Sequence, residues 1–221
     1  MTKALPSMAT WLILCLNVSP VAGAGATEAT LSDDGRITFA SPSIVRPDAK
    51  SSSIGAERFK VIYSTFSDDK NRLYDPGAAY TVSTRNSETL RHFTVAMPFT
   101  PAEPGYLRKI VIALTWVSGV DEVSVSLRAD DGGLPGEVIK KVNVGDLPVF
   151  GECCETETIA STAIPLLAGT RYWVVAKANA DTWAGWNLNS IFLSGPFARK
   201  FESGDWQMAN DSLAAFSVLG D

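Results

Sequence analysis

Val123-Ser-Val-Ser-Leu-Arg128 alternates apolar and polar side chains at every step. Successive side chains of a strand point to opposite faces, so this alternation produces one buried and one wetted surface. Ile110, Ile112, Leu114 and Trp116 repeat the pattern, as do Phe93, Val95 and Met97. Tyr172-Trp-Val-Val-Ala176 is apolar throughout, as expected of a central strand covered on both faces. Between these runs lie turn signals such as Pro104-Gly105, Asp131-Gly132-Gly133, Pro135-Gly136, Ala168-Gly169 and Ser203-Gly204. No amphipathic helical pattern of useful length competes. The expected fold is all-β: a single antiparallel β-sandwich, jelly-roll-like, with about eight to ten strands between Lys60 and Gly220.

Composition agrees with such a core and narrows the functional classes. Hydrophobic residues make up 46% of the 221 positions, ample for one packed domain. With 19 Lys+Arg against 24 Asp+Glu, the net charge of −5 supplies no general cationic surface for phosphate backbones, which argues against a dedicated nucleic-acid binder. One His excludes a multi-histidine metal site.

The first 24 residues read as a signal peptide: Lys3, an apolar run from Met8 to Leu16, then the small-residue site Ala22-Gly23-Ala24. Cleavage after Ala24 is expected. No later segment approaches the roughly 20 apolar residues of a transmembrane helix. The expectation is a secreted or periplasmic protein with no transmembrane segment after signal removal. Residues 25–57 are rich in Ser, Ala, Asp and Pro and read as a flexible N-terminal leader, with the β-sandwich domain occupying 58–221.

Six groups of residues are candidates for chemistry. Asp181-Thr-Trp183-Ala-Gly-Trp186-Asn187-Leu-Asn189 gathers two indoles, one acid and two amides, a set suited to the apolar faces and hydroxyls of sugars. The two Trp residues, three positions apart, point to opposite faces of an extended segment, so at least one is expected in the core. Asp130 and Asp131 could present oxygens to Ca2+, as could the loop of Asp68, Asp69, Asn71 and Asp75, although hairpin turns explain both at no extra cost. Cys153 and Cys154 are adjacent and are the only thiols beyond the signal. In an oxidising compartment a bridge within one chain would have to join these neighbours, whose Cα atoms sit about 3.8 Å apart, below the usual disulfide window of roughly 4.4 to 6.8 Å. A rigid turn, a redox-sensitive loop tip, an intermolecular bridge and two free thiols all remain open. Finally, His92 reads as a half-exposed strand residue. No nucleophile motif accompanies it, so a Ser-His-Asp triad is not expected. Glu122, Glu137, Glu152, Glu155 and Glu157 are available as paired carboxylates of the kind glycosidases use.

Phe93-Thr-Val-Ala-Met-Pro-Phe99, Leu114-Thr-Trp-Val-Ser-Gly119, Asp130-Asp-Gly-Gly-Leu-Pro-Gly136, Phe150-Gly-Glu-Cys-Cys154 and Tyr172-Trp-Val-Val-Ala176 occur in an order that resembles the choice-of-anchor R family. The likeness runs from about Lys60 to Gly220. It implies an exported bacterial β-rich domain. Members of that family often carry a C-terminal sorting tail, whereas this sequence stops at Val218-Leu-Gly-Asp221, which favours release over surface attachment. The resulting expectation is a non-catalytic binding, matrix or envelope module with glycan as the preferred ligand. The alternatives are an exported carbohydrate-active hydrolase using paired carboxylates, and a structural or adhesive module whose partner is an envelope protein.

Overall fold

The computed structural model describes residues 29–39, 59–69, 72–152 and 156–221, with backbone alone for 156–162. The expected signal peptide and residues 40–58 lie outside them. The strands, in chain order, are β1 (Ala29–Leu31), β2 (Arg36–Phe39), β3 (Lys60–Ser64), β4 (Tyr74–Ser83), β5 (Phe93–Phe99), β6 (Gly105–Ile112), β7 (Leu114–Ser118) and β8 (Glu122–Asp131). They continue with β9 (Leu134–Gly145), β10 (Thr156–Leu166), β11 (Tyr172–Ala178), β12 (Trp183–Asn189), β13 (Ser194–Phe201), β14 (Gln207–Ser212) and β15 (Phe216–Gly220). The described residues contain no helix, and hence none long and apolar enough to cross a membrane.

The fold is a β-sandwich of antiparallel strands. One layer runs β14-β13-β5-β11-β8-β9. The facing layer joins β3-β15-β6-β10 to β1-β2-β4-β12-β7, and Ser83 of β4, opposite Phe93 of β5, makes the second group continuous with the first layer at one corner. The join is Ala113, between β6 and β7: its N–H donates to Ala215 O at 3.1 Å and its carbonyl accepts from Asn187 N at 2.9 Å. Val123, Val125 and Leu127 of β8, Val174 and Ala176 of β11, and Leu107, Ile110 and Ile112 of β6 meet between the layers, all buried. The period-two reading of β8 thus places its apolar residues on the core side. Removing each of these Val, Leu and Ile side chains from water contributes about 1.5–3 kcal/mol, and that burial holds the layers together.

Two expectations are corrected. Thirteen described strands, rather than about eight to ten, lie between Lys60 and Gly220. The run from Ile110 to Trp116 is continuous in pattern yet changes pairing partners at Ala113, and β14 is a polar edge strand held by backbone pairing to β13. The leader reading also fails for residues 29–39. β1 and β2 form a hairpin on the edge of β4, with Arg36 opposite Tyr80 and Ile37 opposite Ala79. Ile37 is fully buried with Ala79 and Phe150, Arg36 pairs with Asp211, and its guanidinium lies 5.7 Å from the centre of the Tyr80 ring. A few apolar residues suffice here because the sheet edge supplies backbone partners.

The outer face of the β14–β9 layer is not fully wetted. Ser124 and Ser126, the polar positions of β8, are 3% and 6% exposed. Leu134 and Trp206 pack over this side against Ala96, Trp173, Val175 and Ala198.

Candidate functional site

The indole-rich strand β12 is mostly structural. Trp186 is fully buried between the layers; its Nε1–H donates to Ala215 O at 2.9 Å and its ring meets Phe216 edge to face at 5.9 Å. Asn187 is buried, accepting from Thr115 Oγ1 at 2.9 Å and donating to Asp75 O at 3.0 Å. Asn189 closes the β12–β13 turn, donating to Leu193 O and Leu213 O and accepting from Leu193 N. These contacts correct the expectation that Trp186, Asn187 and Asn189 meet a ligand: their polar atoms already complete the protein's own hydrogen bonds. Trp183 lies on the opposite face, half-buried against the group of Ile37, Ala79 and Phe150. Asp181 is exposed, and its Oδ1 accepts from Val120 N at 2.9 Å. Gly119, at φ +78°, lets the chain pass directly beneath the Asp181 carbonyl, where a Cβ would collide with it. Asp181 is therefore a loop fastener.

The acidic turns behave likewise. Asp130 Oδ2 accepts from Gly133 N at 3.0 Å within the β8–β9 hairpin, and its Oδ1 accepts from Trp173 Nε1 at 2.8 Å, with Arg171 at 3.8 Å. Both oxygens are thus engaged by protein donors, while Asp131 is exposed. Asp75 Oδ1 accepts from Gly77 N at 2.9 Å in a local turn. Among the described residues no three His, Cys, Asp or Glu side chains gather as a metal site. Cys153, Cys154, Asn71 and Glu155 lie outside the described residues. Glu122 Oε1 is bound by the amides of Asn143 and Asn179.

A different surface has the shape of a site. A concavity of about 490 Å³ opens on the outer face of the β14–β9 layer, lined by Arg85, His92, Thr94, Arg128, Lys177, Lys200, Glu202 and Trp206. The register places them. Thr94 of β5 stands directly opposite Lys177 of β11 on one side and Lys200 of β13 on the other. Directly opposed residues share a face, so the two ammonium groups flank a small hydroxyl. Arg128 of β8 leans along its strand, with Nε 3.4 Å from Ser126 Oγ and Nη1 donating to Gly136 O at 3.2 Å. Trp206 comes from the β13–β14 loop, and Lys200 Nζ sits 5.2 Å from the centre of its ring.

The charge of this hollow is lopsided. Its one carboxylate, Glu202, pairs with Arg85, whose hydrogen bond holds it below the usual Glu value and therefore ionised. Among the described residues no carboxylate pairs with Arg128, Lys177 or Lys200. Burial lowers the Arg128 pKa, although a guanidinium stays charged at any ordinary pH. His92 accepts from or donates to Thr94 Oγ1 at 3.2 Å. Its pKa is lowered by burial first and then by Lys177, with Arg85 and Lys200 adding to the effect and Glu202 opposing it. A second hollow, of about 300 Å³ beside β3 and β15, contrasts with it: there Lys60 pairs with Glu103, and Asp221, bound by Arg108, lines the rim.

His92 is half-exposed, as the sequence reading has it, but it lies one residue before β5 rather than in a strand, and Arg128, Lys177, Lys200 and Trp206 carry no such sequence signature of a site. They are scattered over four separate segments with no local motif. The available signal was the cationic residue ending each apolar run, Arg128 after β8's alternation and Lys177 after Ala176. Comparison of the chain with protein-family models, with curated proteins and with solved structures yields no match.

Proposed function

We propose that this protein is a non-catalytic binding module, exported as its N-terminal sequence suggests, with glycan as its preferred ligand class. The observation that carries the reading is the concavity beside Trp206. Its volume of about 490 Å³ falls in the range of small-molecule sites, roughly 300–1,000 Å³. It combines an indole edge with convergent donors from β5, β8, β11 and β13, a combination suited to a sugar ring. The floor is a rigid sheet, so binding requires little ordering of the protein.

The hydrolase alternative draws less support. Two-carboxylate hydrolysis needs an acid and a base on opposite sides of the scissile bond. This hollow offers Glu202 alone, already neutralised by Arg85. The test is binding of a panel of acidic and neutral oligosaccharides by calorimetry, with Trp206→Ala as the variant and circular dichroism as the check on folding. Saturable binding that Trp206→Ala weakens supports the reading. A panel without binding, or hydrolysis of any member, overturns it.

A further inference from the structure

The glycan reading leaves the chemical class of the sugar open, and the charges of the concavity narrow it. Lys177 and Lys200 stand two strands apart on one face with only Thr94 between them, and Arg128 reaches the same hollow from β8. Neighbouring strands are about 4.8 Å apart, so the two Lys backbones are separated by roughly 10 Å. Three cations sharing one surface hollow, none of them paired with a carboxylate, repel one another, and the chain as a whole carries a net charge of −5, so acidic side chains were available to neutralise them. Elsewhere on the surface several cations do have a carboxylate partner: Arg36 with Asp211, Lys60 with Glu103, Arg108 with Asp221. The repulsion would be relieved by a ligand that brings its own negative charge. The indole of Trp206, packed at the rim against the group of Ala96, Trp173, Val175 and Ala198 and with Lys200 Nζ 5.2 Å from its ring centre, adds an apolar surface that a free inorganic anion cannot use.

From this arrangement we infer that the concavity binds an acidic saccharide, with Arg128, Lys177 and Lys200 receiving a carboxylate or sulfate carried on a sugar ring that lies against Trp206. The inference rests on the binding-module reading and specifies its ligand. Arg128 offers a planar, forked donor already aimed by its bond to Gly136 O. Lys177 is exposed and free to swing towards the anion. His92, facing Lys177, Lys200, Arg85 and Glu202 across the hollow, reports on the occupant because an anion beside it favours the imidazolium.

The chain holds a single His, so one imidazole C–H resonance in a proton NMR titration follows this hollow without assignment. The probes are a galacturonate trisaccharide, its methyl ester, a sulfated disaccharide, a neutral glucose trisaccharide and sodium sulfate. The expected result is saturable binding of the galacturonate or the sulfated sugar, an upward move of the His92 pKa on binding, and affinity falling with added salt. The methyl ester, which keeps the ring and loses the charge, should bind at least about tenfold more weakly, and Lys177→Gln should cost about tenfold. Arg128→Gln should cost as much. Because Arg128 is partly buried, Lys177→Gln at an exposed position keeps the test valid if that variant misfolds.

Equal binding of acid and ester, or binding of the neutral trisaccharide alone, overturns the acidic-ligand inference and leaves the glycan-binding reading standing. Sulfate moving the His92 resonance while no saccharide binds overturns both as stated, leaving an inorganic-anion site. No response to any probe overturns both outright.

Discussion

Trp186 and Trp183 share one strand and meet opposite surroundings. Trp186 is sealed between the layers with its N–H on Ala215 O, so Trp186→Ala is expected to lower stability by about 3–5 kcal/mol in urea unfolding. Trp183, half-buried on the outer side, is expected to cost roughly half as much on truncation. Spacing alone shows that the two indoles diverge, because a pleated strand leaves no other arrangement. Which indole is inside depends on the layer that covers it, and that layer comes from residues distant in sequence, such as Phe216. Tyr80 offers a second test at this scale. Its hydroxyl donates to Ser212 O at 2.7 Å, and burial pushes its pKa up to about 12, with nearby Arg36 opposing the rise. The folded state therefore retains a proton that the unfolded chain releases near pH 10. Stability is expected to be insensitive to this group below pH 10 and to decline as the pH climbs from about 10 towards 12. Chemical unfolding at stepped pH should show that decline, and Tyr80→Phe should remove its share of it.

Among the elements, the β1–β2 hairpin gives the sharpest expectation. Thr81 N donates to Gly35 O at 2.7 Å, so its amide is shielded only while the hairpin is docked. Ile37→Ala removes the one fully buried side chain of β2 and is expected to cost about 2–5 kcal/mol locally. Hydrogen exchange should then accelerate at Thr81 well before it does at Val174 in β11. Unchanged protection at Thr81 would mean that the hairpin is held by something other than Ile37. The legibility of each strand follows from where its stabilisation originates. β11 declares itself as Tyr172-Trp-Val-Val-Ala176 because both of its faces are covered, and β8 because one is. β1, β2 and β14 are held chiefly by backbone pairing at sheet edges, which leaves little trace in side-chain pattern. For that reason residues 29–39 read as leader although they belong to the sheet.

Across the whole molecule, the candidate site is a property of assembly. Arg128, Lys177, Lys200 and Trp206 converge only when β5, β8, β11 and β13 lie side by side, and a net charge of −5 gives no hint of a local cationic hollow. Composition reports the sum of charges, whereas recognition depends on where they fall. β15 illustrates the same dependence in the fold. It lies between β6 and β3, with Phe216 and Val218 fully buried. Deletion of residues 216–221 is expected to abolish cooperative thermal unfolding, as read by near-ultraviolet circular dichroism, because it removes an interior strand, leaving β3 without its partner and one edge of β6 unpaired.

That interior position has a temporal side. A nascent chain leaves the ribosome from its N-terminus, so β3 and β6 emerge long before the segment that must slot between them. Until Gly220 has emerged, the backbone pairs that β3 and β6 make through β15 cannot be complete. Closure of this sheet therefore waits on residues about a hundred positions beyond β6, whereas the β8–β9 hairpin needs only its own neighbours to have emerged.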